Sequence, residues 1–158
     1  MASGILLMTQ ESVGTVAHDD ATALYANGAL AVDSVGGIYR YWLAGAGIAA
    51  TNPCKVSSTT AVIPTAGGAN AGLEQICGYW LTAVTNAQYG FGLVYGHVAS
   101  VAHAGTTTIV GAGVGSSATA LKVDKYIPTT AGCIAGPCGW SEAIVASGAS
   151  GAVHMACM

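Results

Sequence analysis

Glycine interrupts this chain throughout. Twenty-three glycines are spread along 158 residues, and no stretch between them sustains the i, i+3, i+4, i+7 apolar recurrence of an amphipathic helix. Between the glycines lie short runs of Val, Ile, Thr and Tyr bounded by Gly, Asn, Ser and Pro, the signature of strands and turns. The expected fold is all-β: a small antiparallel β-sandwich or barrel of roughly eight to ten short strands.

Period-2 patterning places the strands. Residues 38–43 alternate Tyr39, Tyr41 and Leu43 with Ile38, Arg40 and Trp42 after a Gly36-Gly37 turn. Further strands are expected over 55–63, which Pro64 stops, and over 76–85, 91–99, 106–110, 120–127, 140–146 and 152–157. In 120–127, Leu121 and Val123 should face inward and Lys122 and Asp124 outward. The stretches 65–72 (TAGGANAG) and 111–117 (GAGVGSS) read as loops. Residues 1–20 end in polar positions and read as an N-terminal arm or irregular lead-in, leaving 21–158 as a single β domain, a size sufficient to bury a core.

A shift of 61 positions brings Cys77-Gly78-Tyr79 onto Cys138-Gly139-Trp140, Val84 onto Val145, Asn86 onto Ser147 and Gly90 onto Gly151. Each copy reads as strand, small turn and strand. Two hairpins of one design suit a barrel or sandwich of two related halves, with a chance match in a Gly/Ala-rich chain as the rival account.

Charge is scarce. Only 7% of residues are charged and the net charge is −3, against about 25% charged in an average soluble domain. Four cations, Arg40, Lys55, Lys122 and Lys125, make no stripe for phosphates, so nucleic acid is not an expected partner. A spanning helix needs about 20 apolar residues. The best window, 42–50, is short and stopped by Thr51-Asn52-Pro53, so a membrane is not expected either. The N-terminus lacks the basic region and longer apolar run of a secretory signal, so the chain is expected to be made and folded in a cytoplasm. A monomer with so little charge has poor colloidal protection, which favours a surface covered by copies of itself or by a partner over a free, merely polar surface.

The five cysteines, Cys54, Cys77, Cys133, Cys138 and Cys157, are odd in number and contain no C-x-x-C, so neither a disulfide framework nor a zinc ribbon is expected. Cys133 and Cys138 flank an Ile-Ala-Gly-Pro turn and are the one pair placed for a bridge. Buried thiols acting as small hydrophobes are the alternative.

No catalytic constellation emerges. There is no G-x-S-x-G elbow, and 111–116 lacks the lysine and the strand-to-helix setting of a phosphate loop. His97 and His103 would share a face of one straight strand, about 20 Å apart and unable to share a metal. The acids, Asp19-Asp20 included, follow no calcium-loop pattern. No enzyme activity, cofactor or metal is therefore expected. The aromatics are more informative. Tyr39, Tyr41, Trp42, Tyr79, Trp80, Tyr89, Phe91 and Trp140 lie in or beside candidate strands. They are candidate anchors of a subunit interface, with a core role as the alternative.

Three stretches, 36–47 (GGIYRYWLAGAG), 88–98 (QYGFGLVYGHV) and 139–156, resemble the small head decoration or cement proteins of tailed bacteriophages. In many of those an arm precedes a G-x-x-Y-R-Y-x-x-A-G strand, a central Y-G-W/F-x-x-V-x-G hairpin and a closing G-x-A-rich hairpin. Cys77-Gly78-Tyr79-Trp80 and the five cysteines depart from that pattern. The resemblance implies a structural virion protein, dimeric or trimeric, bound to the major capsid protein on the outer shell, with no active site. A surface adhesin or carbohydrate-binding module, in which exposed Tyr and Trp stack on sugars, is the alternative from another class.

Overall fold

The structure, a computed structural model, describes residues 5–7, 20–58, 61–66, 75–105, 107–117, 119–126 and 137–157. Within them there is no helix, and eleven strands form one continuous sheet. The strands are β1 (Ile5–Leu7), β2 (Leu30–Val32), β3 (Ile38–Ala44), β4 (Pro53–Val56), β5 (Ala61–Pro64), β6 (Ile76–Tyr79), β7 (Tyr89–Ala102), β8 (Gly113–Ser116), β9 (Val123–Lys125), β10 (Gly139–Ser141) and β11 (Ser150–Ala156).

The sheet closes on itself twice. In the first ring β3 pairs with β5, β5 with β4, β4 with β6, β6 with β7, and β7 back with β3; only the β3–β5 pairing is parallel. In the second, β7 pairs with β11, β11 with β10, β10 with β8 and β8 with β9, all antiparallel. That ring closes where Val123 forms a parallel bridge with His103, just after β7, and Ala104 N–H donates to the Val123 carbonyl at 2.8 Å. Long β7 thus serves both five-stranded barrels; closure pairs the strand edges within each ring, while β2 and β1 extend the sheet outside them from β3.

The two barrels are copies. Ile48 and Val84 exchange both backbone hydrogen bonds at 2.9 Å in the first, as Thr108 and Val145 do in the second. The turn after each bridge contains a left-handed residue: Thr51 and Ala87 in the first barrel, Gly111 and Gly148 in the second. The shift of 61 aligns Ala87 with Gly148 and β6–β7 with β10–β11, so the similarity read from 77–90 and 138–151 belongs to two whole barrels. Its glycines are needed for a common reason. A β-carbon on Gly78 would lie 2.9 Å from the Leu93 carbonyl oxygen, and one on Gly139 would collide with that of His154, at the matching place in the second copy.

Two apolar clusters follow from this layout. Trp42, Ala44, Ile48, Cys54, Val62, Trp80, Val84 and Val94 fill the first barrel. The other cluster runs from Tyr39, Tyr41, Ile76, Tyr79, Phe91 and Leu93 to Val98, Val101, Val114, Val123, Val153 and Met155 of the second barrel. This shared cluster joins the barrels through packing as well as through β7.

Several expectations are corrected. The 55–63 run is two strands, β4 and β5, because the chain reverses through Ser57, whose N–H and hydroxyl both bond the Ala61 carbonyl. The loop expected over 111–117 contains β8, since Gly113 and Gly115 pair in the sheet without needing β-branched side chains. In place of the 106–110 strand there is one bridge at Thr108 and a turn. Leu121 lies exposed in a turn at φ 62°, not inward. Of the expected N-terminal arm or lead-in, the structure describes Ile5–Leu7, which pair in parallel with β2, and Asp20, which bridges Tyr89; these leave the division at residue 20 as an expectation.

Candidate functional site

The fold draws most of the candidate interface aromatics inward. Trp42 and Trp80 lie in the first barrel. Tyr39, Tyr41, Tyr79 and Phe91 are buried in the shared cluster, with Tyr89 packed against it. Tyr41 stacks on Tyr89 at 5.8 Å and 13°, and Phe91 tilts against Tyr41 at 4.9 Å. The Tyr41 hydroxyl accepts from Leu24 N–H at 3.1 Å and donates to the Asp20 carboxylate at 3.3 Å. These rings are core: the Tyr39 and Tyr41 hydroxyls are satisfied, whereas the Tyr79 hydroxyl and the Trp80 indole nitrogen are buried with no hydrogen-bond partner among the described residues. Trp140 differs: it is 40% exposed.

Trp140 belongs to a cross-strand row. The register sets Trp140 opposite His154 on β11, and His154 opposite His97 on β7. The indole lies flat on the His154 ring, with centroids 4.4 Å apart and planes 6° apart, and Tyr95 meets that imidazole edge-on at 5.0 Å. Glu142 braces the row. Its two carboxylate oxygens accept from Nδ1 of His97 and, at 3.2 Å, from Nδ1 of His154. The corresponding row in the first barrel is Tyr79, Leu93 and Tyr39, all buried. The same strand positions are thus covered in one copy and open in the other.

Beside this row runs a groove of about 760 Å³, lined by Asp33, Val35, Tyr39, Leu81, Tyr95, His97 and His154 among others. One wall is a tight turn organised by Asp33. Its carboxylate accepts from Val35 N–H at 3.0 Å, Gly37 N–H at 2.6 Å and the Tyr39 hydroxyl at 3.0 Å. Burial first, and the Asp33 carboxylate second, push the Tyr39 phenol well above its ordinary pKa. The groove offers aromatic rings, two imidazoles and the Asp33 carboxylate. Among the described residues no three His, Cys, Asp or Glu side chains converge as a metal ion requires.

His97 and His103 do not share a face. An extra residue on β7, between its pairings at Val98 and Val101, forms a bulge, which reverses the alternation. His97 is exposed and His103 fully buried in the second barrel. There Nδ1 of His103 and the Thr108 hydroxyl lie 2.9 Å apart, at positions that Ala44 and Ile48 occupy in the first barrel. Burial lowers the His103 pKa, and Asp124 on β9 opposes that shift.

Cys133 of the expected Cys133–Cys138 pair lies outside the described residues. Cys54, Cys77, Cys138 and Cys157 carry free thiols, and that of Cys138 donates to the Val114 carbonyl at 3.3 Å.

The sequence reading missed the His97–Glu142–His154 set, although one signal was present: the 61-residue shift puts polar His154 where Leu93 stands and Glu142 where Leu81 stands. The convergence itself depends on strand register, which spacing alone does not supply.

No family model matches this sequence, and neither does any curated protein. Among solved structures the chain is similar to the N base of head fiber gp8.5 of bacteriophage phi29, at 11% identity and a TM-score of 0.48, covering 76% of this chain and 94% of that one. A likeness at that level describes partial agreement in shape and carries nothing about what this chain binds.

Proposed function

We propose that this chain is a structural virion protein that decorates the outer surface of a tailed-phage capsid and cements it, acting by contact with the major capsid protein and with further copies of itself. The observation that carries this reading is Trp140: a large aromatic held open on a sheet face, stacked on His154 and braced through Glu142. Rigid, partly exposed Trp side chains are typical anchors of protein contacts, because little conformational freedom is lost when they are covered. Scarce charge supports it further, since covering this surface desolvates few ions. The resemblance of 36–47, 88–98 and 139–156 to decoration proteins gives the reading its setting.

The test uses particles assembled without the protein. Wild-type chain added back should bind in stoichiometric amount and raise resistance to heat and osmotic shock. Trp140→Ala should bind at least about tenfold more weakly with an unchanged melting temperature. Equal heat resistance with and without the bound protein would remove the cement role. A carbohydrate-binding reading is favoured by one observation, the groove beside Tyr95, His97 and His154. Retention on a glycan array that Trp140→Ala abolishes, together with no binding to particles, would make it the better account.

A further inference from the structure

The duplication contains an internal comparison. In the first barrel the Ile48–Val84 bridge sets Ala49 opposite Ala83, with Ala50 next in the turn. In the second the Thr108–Val145 bridge sets Ile109 opposite Ile144, with Val110 next. The backbone is the same in both: Asn52 N–H bonds the Ala49 carbonyl as Ala112 N–H bonds that of Ile109, and Thr51 N–H bonds the Trp80 carbonyl as Gly111 N–H bonds that of Ser141. All six side chains point to solvent. Ile109 is 57% exposed, Val110 62% and Ile144 73%, and Ala49, Ala50 and Ala83 are exposed. The fold needs only alanine at these places, as the first barrel demonstrates. Three large apolar side chains at the second tip therefore serve something outside the chain.

We infer that the Ile109–Val110–Ile144 tip is a self-association surface that packs against the same tip of a second copy. Charge favours this occupant over a charged partner. Residues 105–112 and 143–151 contain no charged side chain, in a protein of net charge −3. Two copies meeting here bring no like charges together, and a two-fold contact requires a surface complementary to itself. The acids beside these segments are engaged within the chain, Glu142 by His97 and His154 and Asp124 by the Gly105 N–H. The tip is also pre-formed. Its left-handed turn positions are Gly111 and Gly148, where the first barrel uses Thr51 and Ala87, so the conformation is held without steric opposition. Three side chains offer a few hundred Å², less than the roughly 800 Å² per partner of a stable interface. The contact is weak between free chains and gains strength where many copies sit side by side, the arrangement that the capsid reading supplies and on which this inference rests.

Sedimentation equilibrium of the full chain from about 10 μM to 1 mM tests it. The wild type should show a reversible rise in average mass with concentration. Ile109→Ala with Ile144→Ala, which installs the first barrel's own residues, should raise the dissociation constant about tenfold or more and leave the melting temperature unchanged. The pair Ile109→Thr with Ile144→Thr gives the same reading if the alanine pair fails to fold. A wild type that stays monomeric across the range, or variants that associate as well as it does, would overturn the inference. Attachment to particles is scored separately. A monomeric wild type that still coats particles defeats the tip contact alone, and association without coating defeats the capsid reading alone.

Discussion

The indole of Trp42 fills the space that a β-carbon on Gly92 would need, with the ring 3.1 Å from that position. The same indole lies 3.1 Å from where a β-carbon on Gly78 would sit. In the second barrel the places of Trp42 and Gly92 are taken by Val101 and Val153, both buried. One barrel is filled by a large residue against a glycine, the other by two of intermediate size.

That compensation predicts coupling. Gly92→Val alone should overpack the first barrel and cost about 1–3 kcal/mol. Trp42→Val alone should cost about 3–5 kcal/mol through the cavity it leaves. The double variant imports the second barrel's solution and should lose less than the sum, by about 1 kcal/mol or more. Denaturant unfolding of all four proteins measures this, and strict additivity would contradict the shared-space account.

Gly139 should be irreplaceable for a backbone reason. A β-carbon there would overlap the His154 carbonyl oxygen and crowd the Met155 α-carbon. Gly139→Ala should cost more than about 3 kcal/mol or prevent folding. Gly148→Ala is the comparison: its φ is +77° but the space around it is open, so the cost should be about 1 kcal/mol. Thermal melts that rank the two the other way would show that the pairing of β10 with β11 tolerates displacement.

His103 should make stability depend on pH. Burial holds its folded pKa below the unfolded value, with Asp124 opposing. The unfolded chain then binds more protons in this window, so stability rises with pH. The contribution is present above the unfolded pKa of about 6.5 and is lost as pH falls below it toward the folded value. His103→Gln should flatten the change in melting temperature between about pH 7.5 and 5.5. An identical slope in the variant would assign the dependence to other groups.

The buried thiol of Cys54 and the half-buried thiols of Cys77 and Cys157 should resist modification. Burial raises the Cys54 pKa and pushes that of Cys77 up to about 12. A hydrogen bond to Cys138, together with burial, raises that of Cys157. Since the thiolate is the reactive form, alkylation of these three at pH 8 should be at least about 100-fold slower in native protein than in denaturant. Peptide mapping after timed iodoacetamide treatment reads each site, and equal native and denatured rates would contradict their burial.

The sequence by itself determined the all-β character, because glycine spacing and β-branched runs are local properties that leave no room for a helix. It also marked where the chain repeats: Cys77-Gly78-Tyr79 and Cys138-Gly139-Trp140 share a glycine that each barrel needs for the same close backbone approach. Tertiary structure alone decided how the repeats close, since a ring such as β3–β5–β4–β6–β7 depends on pairings between strands distant in the chain. It also decided which aromatics are covered. Tyr79 and Trp140 occupy matching strand positions, yet Tyr79 is buried against the shared cluster and Trp140 stands open. His97 and His103 show the same limit: their even spacing implies one face, but a single extra residue on β7 turns one outward and the other into the barrel. Alternation is a rule of the local backbone. Burial is set by what the rest of the chain brings against each face.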